Sequence, residues 1–329
     1  MRTMYLSATV SPSMMSLPDF KEKQLLVIAA KDAAENRLQF KNENICFTQD
    51  GNIVNQLSCH KVFAVFIVGD FSLTTVLIRN CQQYGVSLFL LKDNFLSYAS
   101  IISTASGNYL LREKQYASSR DFSIAKRVVI NKLVNQQILL KNTTSIEAKR
   151  VFEKEIEKKM ENTLTSKELL GIEGSATKLY FQEYFKEMNW YRRLPRAKVD
   201  VNNLLMDIGY TMLFNFVDAL LNLYGFDTYK GVYHTLFFQR KSLVCDIVEP
   251  FRCIIDKQIV KSYNLKQIDK KDFLCLKGKY SLSYDKQKKY IRIFSEAIMD
   301  RKEELFSYVR DYYYCIMNDT DEIPFFYVK

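Results

Sequence analysis

Histidine, tryptophan, glycine and proline are all scarce in this 329-residue chain: two His, one Trp, 10 Gly and 5 Pro. So few glycines and prolines argue against a loop-rich sandwich and for long regular elements. Cysteines stand at 46, 59, 81, 245, 253, 275 and 315, an odd number with no CxxC pair. That spacing argues against a zinc ribbon and against a disulfide framework. Residues 1–20 lack the sustained apolar core of a secretory signal, and no apolar run in the sequence reaches the length that spans a bilayer. A soluble protein of a reducing cytoplasm, with no membrane role, is the expectation.

What is present is apolar and basic. Hydrophobic residues make up 48% of the chain, enough for a sizeable core, and 21 Tyr and 23 Phe dominate the aromatics. The formal net charge is +10 and the pI about 9.0. An excess of Lys and Arg attracts a polyanion such as DNA, although ordinary domains can be equally basic.

The first hundred residues read as strands: 24–30, 44–48, 62–69 and 86–91 are short runs rich in β-branched and aromatic residues. Asp50-Gly51 marks a hairpin turn. Ser72 is placed to cap one helix that ends near Gly85, giving a strand–helix–strand unit. From Ser123 the apolar spacing turns helical. Helices are predicted over 123–139, 147–164, 175–188, 203–223, 243–263 and 293–316, with Pro250 kinking or restarting the fifth. The fold class is therefore α+β: a mostly-β domain over 1–108, then a larger all-α domain over 109–329.

The most informative stretch is GVYHTLFFQRKSLVCDIVEPFR, from Gly231 to Arg252. His234 stands twelve residues before Asp246, and Glu249 follows three later. Acids at i,i+3 share one helix face. An imidazole near two carboxylates is a metal-binding set, and hard oxygens with one nitrogen suit Mg²⁺ or Mn²⁺. The same residues also fit a solvated helix beside an unrelated histidine, but apolar neighbours such as Val244, Ile247 and Val248 make ionised carboxylates costly without a cation or donors. Glu173 lies between Gly171 and Gly174, which permit close backbone approach, just before a predicted helix. Arg192, Arg193, Arg196, Arg240 and Lys241 are candidate phosphate contacts, the first three in a cluster with the aromatics Trp190 and Tyr191, and so are Lys286, Lys288 and Lys289; His60 reads as structural.

Four segments in order, INKLVNQQILL (130–140), GIEGSATKLYF (171–181), RRLPRAKVDVNNLLMDIGYTML (192–213) and the His234–Glu249 stretch, resemble the CRISPR-associated integrase family, the Cas-one proteins of spacer acquisition. The resemblance spans nearly the whole chain and implies metal ligands at Glu173, His234 and Glu249. It implies that Asp246 is catalytic beside the metal, bound directly or through water. It further implies dimerisation through the β domain and assembly with the small Cas-two protein. The implied reaction is transesterification, joining 3′-hydroxyl ends of prespacer DNA to the CRISPR repeat. A hydrolytic DNA endonuclease with the same site, or a non-catalytic nucleic-acid scaffold, are the competing readings. Arg196 and Lys198 depart from the family pattern before the Asn-Leu-Leu helix.

Overall fold

A computed structural model describes residues 15–30, 35–92, 95–103, 108–118, 121–141, 165–190, 192–234 and 238–329. The helix expected over 147–164 lies outside them, as does Tyr191. Among the described residues, strands and two short α-helices make up the chain up to Ile101, and helices dominate from Tyr109 onward.

Two four-stranded sheets make up the first part. In one, β1 (Gln24–Ala29), β5 (Val62–Val68) and β7 (Ser87–Leu91) run parallel, and β8 (Ser97–Ile101) pairs antiparallel at the edge. In the other, β2 (Asn36–Lys41), β3 (Asn44–Gln49) and β4 (Asn52–Ser58) form an antiparallel meander, with the two-residue β6 (Ser72–Leu73) parallel to β2. The β3–β4 turn is Asp50-Gly51, both at positive φ, the geometry of a tight two-residue hairpin. Between β5 and β7 lies α2 (Thr75–Gln83). Its cap is Thr74, whose hydroxyl accepts from the Leu77 N–H, and not Ser72, which is drawn into β6.

Every residue of β5 is buried, because both faces of this strand are covered. Phe63, Phe66 and Val68 enter one core with the helices, while Val62, Val65 and Ile67 enter a second core with the other sheet and α2. The short helix α1 (Leu17–Lys21) stitches the first core: Phe20 meets Phe63 edge-on at 5.1 Å and stacks on Phe306 at 4.5 Å.

The helical part contains α3 (Tyr109–Ala117), α4 (Asp121–Leu140), α5 (Ser166–Tyr184), α6 (Val201–Tyr224), α7 (Ser242–Val248), α8 (Arg252–Asn264), α9 (Tyr284–Met299) and α10 (Lys302–Asn318). A hairpin of β9 (Phe273–Leu276) and β10 (Lys279–Leu282), unforeseen from the sequence, interrupts it. Helix α6 is, against the sequence expectation, long and apolar enough to cross a membrane by length and composition, but 83% of its apolar window is buried inside the protein. Helix α5 begins nine residues earlier than expected, because Thr165 and Glu168 form a capping box. The expected 293–316 helix is two helices that break at Arg301, whose side chain engages Glu304 and the Tyr327 carbonyl.

Candidate metal centre and nucleic-acid surface

Asp246 is fully buried on α7, and the loop before it wraps its carboxylate. The Val232 and Tyr233 N–H groups donate to Oδ2 at 2.7 and 3.0 Å, and the His234 N–H donates to Oδ1 at 2.9 Å. A carboxylate enclosed by donors is compensated for lost water. The loop comes this close because residue 231 is glycine: a Cβ there would lie 2.7 Å from Asp246 Oδ2 and 2.8 Å from Ser242 Cβ. Gln115 on α3 holds the base of the loop by donating to the Asp227 and Lys230 carbonyls.

The His234 ring completes the set, with Nδ1 2.6 Å from Asp246 Oδ1. A carboxylate only accepts, so Nδ1 carries the hydrogen and a neutral ring presents its lone pair at Nε2. Asp246 thus spends its oxygens on three backbone amides and one imidazole. This is the arrangement by which an outer carboxylate orients a metal-ligating histidine.

The two glutamates meet at a residue that sequence reading passed over. Lys132 on α4 places Nζ 2.5 Å from Glu173 Oε1 and 2.7 Å from Glu249 Oε2, with all three side chains nearly buried. Tyr233 donates its hydroxyl to the other oxygen of Glu173. Arg252 lies 3.0 Å from Glu249 Oε1. Burial alone would raise the Glu249 carboxyl, but Arg252 and Lys132 outweigh it, with a smaller effect from His234, and hold it down at about 2. Burial likewise opposes the charge on Lys132, yet Glu249 and Glu173 raise its pKa, so it stays an ammonium. Tyr233 is pushed up, by burial and then by Glu173, and remains a donor.

Glu173 does not precede its helix. It sits inside α5, and Gly171 and Gly174 face open space, so neither accommodates a close backbone within the chain. Asp246 and Glu249 also part company: Asp246 ends its work in the 231–234 loop, whereas Glu249 opens a tight turn, Glu249–Phe251, which Pro250 forces before α8 restarts. Among the described residues, no three His, Cys, Asp or Glu side chains are gathered tightly enough to ligate one ion as they stand. The Lys132 ammonium nevertheless marks a position where the glutamates favour a cation, and two carboxylates with one imidazole nitrogen fit Mg²⁺ or Mn²⁺. The available signal for Lys132 was its place four and eight residues after the inward Val128 and Ile124.

Behind Glu249 the polar contacts continue. Arg252 lies over the Tyr210 ring at 4.7 Å, and Tyr210 and Tyr180 both donate to the buried Asp256. Burial raises the Asp256 carboxyl to about 6, against the pull of the two tyrosines.

The candidate phosphate contacts divide. Arg192 and Arg196 are exposed. Arg193 is held by Asp207 at 2.5 Å and the Asn203 carboxamide at 3.0 Å, and Trp190 is buried with its N–H on Asp200. Lys241 lies 2.5 Å from the buried Asp218, and the Arg240 Nε donates to the Ser242 hydroxyl. Lys289 pairs with Asp272 at 2.6 Å and Lys286 with Asp285 at 3.4 Å, whereas Lys288 is exposed. His60 sits in a surface turn, edge-on to Tyr84 and 3.7 Å from Glu43. All seven cysteines are free thiols.

Residues 32–296 match the family described as CRISPR associated protein Cas1. A CRISPR-associated endonuclease Cas1 of Thermodesulfovibrio yellowstonii is 28% identical over 260 residues, covering 74% of this chain and 81% of that protein. Two solved structures share the fold. A Cas6-RT-Cas1–Cas2 complex aligns with TM-score 0.79 at 21% identity over 94% of this chain and 36% of its own. A casposase bound to integration product aligns with TM-score 0.76 at 19% identity over 91% and 92%. The family match covers most of the sequence, including every residue of the Glu173–His234–Glu249 centre, and the chain belongs to the Cas1 family of CRISPR-associated proteins.

Proposed function

We propose that the chain is a CRISPR adaptation integrase, joining 3′-hydroxyl ends of prespacer DNA to the CRISPR repeat by metal-dependent transesterification. The observation that carries this reading is the convergence of Glu173 and Glu249 on one cation position beside a histidine fixed by Asp246. Glu173, Glu249 and His234 Nε2 would hold Mg²⁺ or Mn²⁺. Such an ion polarises the scissile phosphate and lowers the pKa of the attacking hydroxyl. Asp246 orients His234, Tyr233 orients Glu173, and Lys132 and Arg252 keep Glu249 ionised. Arg192 and Arg196 are free to take phosphates. No protein nucleophile is called for. The protein works in the cytoplasm as a homodimer formed through its β domain, with a small Cas-two partner. The T. yellowstonii relative is a CRISPR-associated endonuclease, and the two fold neighbours are a Cas6-RT-Cas1–Cas2 complex and a casposase bound to integration product; these support the reading.

The test uses a branched DNA that mimics a half-integrated end, with Mn²⁺ or Mg²⁺. Rejoined target strand with a released flap, lost by several orders of magnitude in His234→Ala, is the expected result. Hydrolytic nicks would establish an endonuclease instead, and binding with no chemistry in the presence of the partner would leave a scaffold.

A further inference from the structure

The last residues of the chain are tied to the turn that carries Glu249. After α10 the chain runs from Thr320 without regular secondary structure, and Phe326 and Val328 are buried. Two asparagines one helical turn apart on α4, Asn131 and Asn135, hold this segment with their carboxamides. Asn131 donates to the Phe326 carbonyl at 2.6 Å and accepts its N–H at 2.9 Å, as a neighbouring strand would. Asn135 accepts the Val328 N–H at 2.7 Å, donates to the Phe326 carbonyl at 3.0 Å, and donates to the Pro250 carbonyl at 3.1 Å. The two carbonyls and one N–H leave only one orientation of the Asn135 amide that satisfies all three. Asn131 and Asn135 are 0% and 1% exposed, so water cannot replace these bonds.

Pro250 directly follows Glu249, and the next residue, Phe251, packs its ring 4.5 Å from Phe326. The Glu249 turn is therefore gripped three times from one side. Lys132 takes its carboxylate, Asn135 takes its backbone, and Phe326 backs its apolar face. Arg301 closes the outer side by donating to the Tyr327 carbonyl at 2.9 Å. A short turn between two helices has little rigidity of its own, and a metal ligand must be held within about 0.5 Å of its productive place.

We propose that residues 325–328 are a strap that positions Glu249 for the metal, acting through Asn135 and Phe251, so that Asn131, Asn135 and Phe326 are positioning residues of the centre. This rests on the metal reading given above. Asn131 is the informative probe, because its carboxamide touches the strap and nothing in the site.

The experiment measures Mn²⁺ binding by electron paramagnetic resonance of the free ion, well below the melting temperature, for wild type and Asn131→Ala. The expected dissociation constant for Asn131→Ala is about tenfold higher, at the low end for lost outer support of a ligand. The Mn²⁺ concentration for half-maximal strand transfer should rise in step, with the rate at saturating metal within about twofold of wild type. If Asn131→Ala does not fold, Phe326→Ala keeps every backbone bond of the clamp while opening the space against Phe251, and carries the same expectation. Phe326→Leu, which refills that space, should restore wild-type affinity. A folded Asn131→Ala with wild-type affinity and a lowered melting temperature would reduce the strap to a structural element and overturn the proposal. A wild-type protein that binds no Mn²⁺ would remove the metal site itself, and the strap's role with it.

Discussion

Replacing Lys132 by Met tests how the two glutamates are balanced. Its ammonium stands 2.5 and 2.7 Å from carboxylate oxygens of Glu173 and Glu249. At an effective dielectric of about 20, each contact is worth roughly 6 kcal/mol of gross attraction. Desolvation of three buried ions cancels most of that, and deleting one partner of a buried pair leaves a net loss of about 3–5 kcal/mol. Arg252, 3.0 Å from Glu249, remains in the variant and places the expected loss near the lower end. Urea unfolding in EDTA should therefore show Lys132→Met about 3 kcal/mol less stable than wild type. Divalent ions should then act unequally. In wild type a bound ion has to displace the ammonium from between the glutamates, whereas in the variant it only fills the place left. Mn²⁺ at 100 times its dissociation constant should return about 2.7 kcal/mol to the variant, and reach that effect at a lower concentration than in wild type. Equal stability in EDTA, or a weaker response to Mn²⁺ in the variant, would refute the view that lysine and metal share one position.

Four further outcomes are open to measurement. Asp246→Asn puts an NH₂ where the carboxylate accepted backbone N–H groups and the His234 ring, and metal affinity should fall at least about tenfold in a calorimetric titration. Burial raises the Asp256 carboxyl from the ordinary carboxylate range to about 6, so the folded state favours its neutral form. Stability from that group is full below about pH 4 and is lost as pH rises through 6; Asp256→Asn, which cannot ionise, should flatten this profile in urea unfolding from pH 4 to 8, so that the variant gains on wild type as pH rises. Arg192→Gln and Arg196→Gln should each reduce the slope of log binding constant against log salt by about one without loss of stability. Lys241→Met should leave that slope unchanged and destabilise by about 3–5 kcal/mol, because Asp218 is left buried without its cation.

The regular elements were legible wherever one period ran unbroken. The runs at 24, 44, 62 and 86 became β1, β3, β5 and β7, and the apolar spacing after 203 became α6. The start of α5 was missed at a local capping box, but other misses share a cause, which is that a distant partner decided them. Ser72 looked like a cap but pairs in β6 with Leu38's strand, and nothing near Arg301 announces a break that the Tyr327 carbonyl helps to fix. At the centre, the acids and the histidine could be read, and the family resemblance set Glu249 apart from Asp246, but the partner of each could not be read. The i,i+3 spacing suggested one shared helix face, whereas the turn at Pro250 sends Glu249 toward Lys132 and leaves Asp246 beside His234. Lys132, Asn131 and Asn135 sit on the buried face of α4, where polar residues weaken the very periodicity that identifies a helix's inner side. The division of basic residues into Arg192 and Arg196 outside, and Arg193 and Lys241 paired within, depends on acids that lie 14 and 23 positions further along or back in sequence.

Strand β5 has a consequence for how the molecule can be cut. Composition changes near Asn108, and a protease or a gene splice would find its natural place there. The core does not divide at that point. Phe63, Phe66 and Phe89 from the strands and Phe20 from α1 lie in the same apolar cluster as α6 and α10. A fragment beginning at residue 109 would keep all the candidate site side chains and yet expose the floor on which those aromatics rest, inviting self-association. The candidate centre depends on a wall built by the other half of the chain, so strain applied to the strand layer passes to α6 and α10 through the packing they share.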